Sequence, residues 1–161
     1  KKDKHESVIF RRDNSHYEKL DGIERCIDDE IPFEIPKNWK WTRFGQVISL
    51  LSGTDFKPEE YNDKQQGVPY ITGASSLSEH GVLINRWTEV PRVIVNRGDV
   101  LLVCKGSGYG KTVICDIDEA HIARQIMAIK KMTTLDMLIF EYSCKRILNK
   151  LNLRDRALFL E

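Results

Sequence analysis

Lys105–Thr112 reads KGSGYGKT and follows the apolar run VLLVC at 100–104. A glycine-rich loop that leaves a buried strand and ends in Gly-Lys-Thr suggests phosphate binding, with backbone amides cradling phosphate oxygens. Two features argue against a nucleotide site. The phosphate-loop pattern needs a glycine at position 105, and that residue is a lysine. Phosphate loops also run into a helix whose first amides face the anion, whereas Thr112-Val113-Ile114-Cys115 is a β-branched run that disfavours helix. The stretch therefore reads as the tip of a β-hairpin, its glycines permitting positive φ. Lys105, Ser107, Tyr109 and Lys111 would then stand on an exposed tip, where cations, a hydroxyl and a phenol suit phosphates and base edges. The plainer alternative is a solvated turn with incidental lysines.

The remaining chemistry-bearing residues form no catalytic pattern. Cys26, Cys104, Cys115 and Cys144 lie far apart without a CxxC pair, and His5, His16, His80 and His121 have no ligand spacing, so no metal site is expected. Cys104 and Cys115 could face each other across the hairpin, but reduced thiols are expected in a cytosolic chain. No serine sits in a nucleophile elbow, and no glycine fingerprint opens a helix to hold a cofactor. Glu59-Glu60 and Asp118-Glu119 fall in polar turns, and Arg97-Gly98-Asp99 reads as a tight turn between strands. No catalytic residue and no cofactor is expected.

The chain has 161 residues and a net charge of +1, enough for one domain with a core. No apolar run reaches a membrane span and no signal peptide opens the chain, so a cytoplasmic protein without membrane contact is expected. The first residue is not Met, which reads as a fragment. Residues 1–30 hold seven basic and nine acidic residues, whereas Ala120–Arg156 holds eight basic residues against three acidic ones. Local positive charge of that kind suits a polyanion.

The elements that would position these residues are mostly short. Residues 1–30 are polar, apart from SVIF at 7–10, and read as a connector from a preceding segment. The composition changes at Ile31, where IPFEIPKNWKW packs two prolines and three aromatics into an ordered lead-in. The domain is therefore placed at 31–161. Apolar residues at 44, 47, 48 and 51 predict a short helix closed by Gly53. Strands are expected at VPYIT, RVIVN, VLLVC, TVICDI and IARQIMAI, with DEAH as a turn. Thr133–Asp136 fits a capping pattern ahead of helical spacing through Leu151. The predicted fold is α+β: a mixed or antiparallel twisted sheet of short strands, a short N-terminal helix and a longer C-terminal helix. Trp39, Trp41, Phe44 and Leu101 are the expected core residues.

Several stretches now line up in order: IPFEIPKNWKWTRFGQV, VPYITGASS, RGDVLLVCKGSGYGKTVI, AHIARQIMAI and ALFLE. Together they resemble the target-recognition domain of the specificity subunit of type I restriction-modification enzymes. The lead-in FRRDNSHYEKLDG and IDDEIPFEIP is similar to the connector before such a domain, and the resemblance spans about residues 7–161. It implies a non-catalytic module that reads one half of a bipartite site on double-stranded DNA. It also implies methyltransferase (M) and restriction (R) subunits as partners, which supply the S-adenosylmethionine chemistry and the ATP-driven cleavage. The chain ends at ALFLE, before the place where the family shows its Pro-Leu-Pro-Pro segment and long spacer helix. Where the family commonly has an arginine after the Ile of VPYIT, this chain has Thr72. Carried onto this sequence, the phosphate contacts would be Lys64, Lys105, Lys111 and Arg124. Base-edge candidates are Ser75, Ser76, Ser107, Tyr109 and Gln125. The loop 55–66, with Asn62, Gln65 and Gln66, is a second contact surface, and Thr72 joins the DNA-binding set. The rival reading is a protein-interaction module without DNA readout.

Overall fold

Short β-branched runs punctuated by turn residues form strands throughout the computed structural model, which describes residues 7–37 and 39–132. The chain divides into two compact units, residues 1–49 and 50–161.

In the first unit β1 (Ser7–Arg12), β2 (Ser15–Leu20) and β3 (Ile23–Cys26) form an antiparallel meander. Both connections are two-residue turns with positive φ, Asp13-Asn14 at 50° and 68° and Asp21-Gly22 at 52° and 84°. That is the turn chemistry whose twist matches paired strands. Residues read from the sequence as connector thus carry three strands, and Asp21-Gly22 was the signal for them. Glu18 points to the buried side of β2 and binds three partners. Ser7 donates to it at 2.5 Å, Arg25 at 2.7 Å and Arg43 at 2.6 and 2.8 Å. These partners, the Arg43 guanidinium first, hold the Glu18 carboxyl well below the ordinary carboxylate range. Trp39, expected in the core, is about half exposed (49%), whereas Trp41 lies 5.3 Å from Phe33, ring to ring.

The short helix expected over 43–51 is one turn, α1 (Phe44–Val47), after which Ile48 enters β4 (Ile48–Ser52). Strand pairing outweighs the helical spacing here, because β4 completes a four-stranded sheet. Gly53 is no helix cap: a Cβ there would meet the Ala123 carbonyl oxygen at 2.1 Å, so the residue is small to let two backbones approach.

The second unit adds β5 (Val68–Ile71), β6 (Leu77–Ser78), β7 (Gly81–Val82), β8 (Trp87–Thr88) and β9 (Ile94–Asn96). It continues with β10 (Val100–Val103), β11 (Thr112–Ile114), β12 (Glu119–Ile122) and β13 (Ile126–Lys131). One sheet has the order β11-β10-β13-β4, a second has β8-β5-β12-β9, and β6 pairs with β7. Strands β5 and β12 run parallel, whereas β10 pairs antiparallel with both β11 and β13. All four residues of β10 are buried, and with Ile71, Val95, Ile122 and Ile126 two of them, Leu101 and Val103, build the main core. Each such aliphatic side chain contributes about 2 kcal/mol by leaving water.

The α+β expectation is therefore corrected: the described residues are dominated by strands in several small sheets, with a single one-turn α-helix. DEAH is not a turn, since Glu119–Ile122 is a strand, and IARQIMAI is interrupted by a bend over 123–125 before β13. The anticipated C-terminal helix over residues 133–151 lies outside the described residues.

Candidate nucleic-acid interface

The β10–β11 hairpin turns on glycine as the sequence predicts. Leu102 pairs with Thr112, and Gly106 and Gly110 adopt φ of 88° and 85°. Backbone bonds of 2.9 Å from Gly110 to Val103 and from Val103 to Lys111 close the tip. The loop runs straight into β11 rather than into a helix.

Three predicted stretches meet around this tip. Gly108 packs against the turn Ala74–Ser76 so tightly that a Cβ would lie 2.4 Å from the Ala74 Cβ. The Cys104 amide donates to the Gln125 carbonyl at 2.8 Å. The Gln125 side-chain oxygen lies beside both glycines, 2.9 Å from where a Cβ on Gly73 would sit and 3.7 Å from one on Gly106. Residues 72–76, 104–111 and 124–125 thus form one loop cluster, with Ser75, Lys105, Ser107, Tyr109, Arg124 and Gln125 exposed on it.

Other predicted residues are engaged internally. The Ser76 side chain is buried, with its hydroxyl 3.2 Å from that of Thr72 and accepting the Thr72 amide. The Lys111 ammonium donates to the Leu77 carbonyl, tying tip to turn. Lys64 and Gln65 are exposed on a separate loop, where Gln65 has φ 60°. Asn62 organises that loop by accepting the Lys64 and Gln66 amides and donating to the Gln66 carbonyl, while its backbone bridges to Trp87.

Sequence reasoning did not find what holds Arg124. Asp55 accepts the Arg124 backbone amide at 2.9 Å on one oxygen, and its other oxygen forms an ion pair with Arg124 Nε at 2.8 Å. These residues are 69 positions apart in sequence, so no local signal pointed to the pair. Beneath them His121 is fully buried. Its Nδ1 accepts the amides of Val93 at 3.1 Å and Arg92 at 3.3 Å, so its proton resides on Nε2 and is donated to the Thr54 carbonyl at 2.7 Å. Burial lowers the His121 pKa, which keeps the ring neutral. Phe56 and Tyr70 pack on the imidazole at 4.2 and 5.2 Å.

A β-built scaffold presenting one cluster of polar, cationic and aromatic loop residues is the layout of a recognition module. No family model matches the chain. It is 29% identical over 142 residues to the EcoEI type I restriction enzyme specificity subunit of Escherichia coli, covering 83% of this chain and 24% of that protein. It is 33% identical over 66 residues to the EcoAI specificity subunit of the same species, covering 41% of this chain and 10% of that one. The chain therefore spans a quarter or less of the length of these relatives. Among solved structures, the HsdS subunit of Thermoanaerobacter tengcongensis superposes with TM-score 0.64 at 20% identity, over 77% of this chain and 32% of that one. The specificity subunit from M. genitalium gives TM-score 0.50 at 16% identity, over 73% of this chain and 29% of that one. The fold is HsdS-like. Relatives and fold together bear out the resemblance drawn from the sequence, that of a target-recognition domain of type I specificity subunits.

Proposed function

We propose that this domain reads one half of a bipartite DNA sequence for a type I restriction-modification complex and has no catalytic role of its own. The observation that carries the reading is the loop cluster, in which the glycine hairpin tip, the Gly73–Ser76 turn and Arg124-Gln125 are packed together. Similarity to two proteins named as specificity subunits supports the same reading. Exposed Lys105 and Lys64 meet phosphate, which supplies affinity without selectivity. Ser75, Ser107, Tyr109 and Gln125 face base edges, Thr72 and Ser76 support the loops from within, and the exposed Lys111 ties the tip to Leu77. The methyltransferase and restriction subunits are the partners of the complex, and the cytoplasm is its compartment. Among the described residues no helix is long and apolar enough to cross a membrane.

The test is selection from a randomised duplex pool by the full-length subunit assembled with its methyltransferase partner. Enrichment of a short motif that changes when residues 50–132 are exchanged for those of a relative supports the reading. Enrichment of nothing, with stable assembly of the complex, points instead to a protein-interaction module.

A further inference from the structure

Arg124 is held by a single carboxylate at both its backbone and its side chain, whereas Glu60, the carboxylate paired with Arg92, takes its backbone amide from Lys57. The Arg124 side chain is 70% exposed, yet Asp55 grips it at two points, the backbone amide and Nε. One carboxylate oxygen is pinned by the amide, which sets the other 2.8 Å from Nε and keeps the guanidinium on that side of the loop. Both terminal nitrogens, Nη1 and Nη2, are then left for a ligand. The Arg97–Asp118 pair is of another kind: its carboxylate is 90% exposed, an ordinary surface ion pair of little worth.

A carboxylate against the guanidinium is the wrong company for a phosphate, since it cancels the cation's charge and repels the anion. For a guanine it is the right company. The major-groove edge of guanine carries two neutral acceptors, N7 and O6, which match a planar pair of N–H donors. A side chain held in place beforehand also loses less freedom on binding. We propose that Arg124 reads a guanine in the half-site and that Asp55 is the residue that positions it. This deepens the DNA-recognition reading above and rests on it. It reassigns Arg124 from backbone contact to base contact. Its neighbour Gln125, beside the hairpin tip, places it in the same loop cluster.

The experiment uses the full-length subunit assembled with its methyltransferase partner. The motif selected by the unaltered complex comes first; if no motif emerges, the recognition reading itself falls. Given a motif, the proposal expects a G·C pair at which Arg124→Ala loses discrimination by about 5- to 150-fold, the worth of one bidentate pair. The other positions and the salt dependence of binding should change little. Asp55→Asn should weaken preference at that same pair while leaving the melting temperature within a few degrees. Independently of any variant, 7-deazaguanine at that position removes the N7 acceptor and should weaken binding of the unaltered complex but not of Arg124→Ala.

Three results would overturn the proposal. The motif could lack a G·C pair, or 7-deazaguanine could be without effect. The third is the signature of a phosphate contact: Arg124→Ala lowers affinity for every duplex and flattens the salt slope by about one, while Asp55→Asn tightens binding to all of them.

Discussion

His121 donates its Nε2 proton to the Thr54 carbonyl oxygen at 2.7 Å, and Thr54 immediately precedes the Asp55 that grips Arg124. A buried ring on β12 thereby anchors the loop that orients an exposed cation. The same ring accepts two backbone amides from residues 92–93, so two segments are tied to β12 by one neutral imidazole.

Stability should depend on pH through this residue. Burial lowers the folded-state His121 pKa from its ordinary 6.5, so the unfolded chain binds the proton more readily. The contribution is complete above about 6.5 and declines as pH falls through the lower folded value. Arg92, Asp55 and Tyr70 are the ionisable groups around the ring. Urea midpoints at pH 8 and pH 5.5 should show a drop in the wild type that His121→Ala lacks. That variant should also be less stable at pH 8 by about 3 kcal/mol, having lost a packed ring and left three backbone groups without partners.

A second pH window belongs to the first unit. Glu18 is buried among Ser7, Arg25 and Arg43, which lower its carboxyl from the ordinary 4.5. Its contribution is present above about 4.5 and is lost as pH falls through the folded value. Glu18→Ala should destabilise the meander by about 2 kcal/mol, less than for a fully enclosed pair because both arginine heads reach solvent. Amide exchange in residues 7–26 is the direct readout. Protection there unchanged by the substitution would refute the role.

The two lysines of the tip should behave differently. Lys105 is exposed, so Lys105→Ala should weaken binding to all duplexes alike and reduce the salt slope by about one. The Lys111 ammonium is bonded to the Leu77 carbonyl. Lys111→Ala should lower the melting temperature by a few degrees, corresponding to about 1 kcal/mol, with a smaller effect on the slope. Fluorescence titration at several salt concentrations, paired with thermal melts, separates the two cases.

Gly108 tests the packing of the tip. A methyl group there would collide with the Ala74 Cβ, so Gly108→Ala should push the hairpin off the Ala74–Ser76 turn. The expected costs are about 1–2 kcal/mol of stability and a loss of selectivity. Gly108→Ala combined with Ala74→Gly should restore both, and failure of that rescue would show that the contact does not set the position of the tip.

Much of this domain could be read from local sequence. The hairpin announced itself because Val100–Val103 is an apolar strand, Thr112–Ile114 is β-branched and glycines lie between. The same facts argue against a nucleotide loop from the sequence alone. The series from IPFEIPKNWKW to AHIARQIMAI carried the resemblance to specificity subunits. Reading failed where pairing partners are distant. Ile48–Leu51 has helical spacing but is claimed by a sheet, and Glu119–Ile122 looks like a polar turn until β5 and β9 flank it. Trp39 is aromatic yet exposed, because composition gives no direction to a side chain.

The candidate site divides in the same way. Residue types and short-range turn chemistry, which depend on neighbours in the chain, determined that there would be an exposed tip with Lys105, Ser107 and Tyr109 on it. Tertiary structure alone decided that Ser76 faces inward, that the Lys111 ammonium ties back to Leu77, that Gln125 lies beside Gly73 and Gly106, and that Asp55 pairs with Arg124. Those contacts join residues up to 69 positions apart, where geometry is set by how whole sheets pack and a linear pattern holds no record of it.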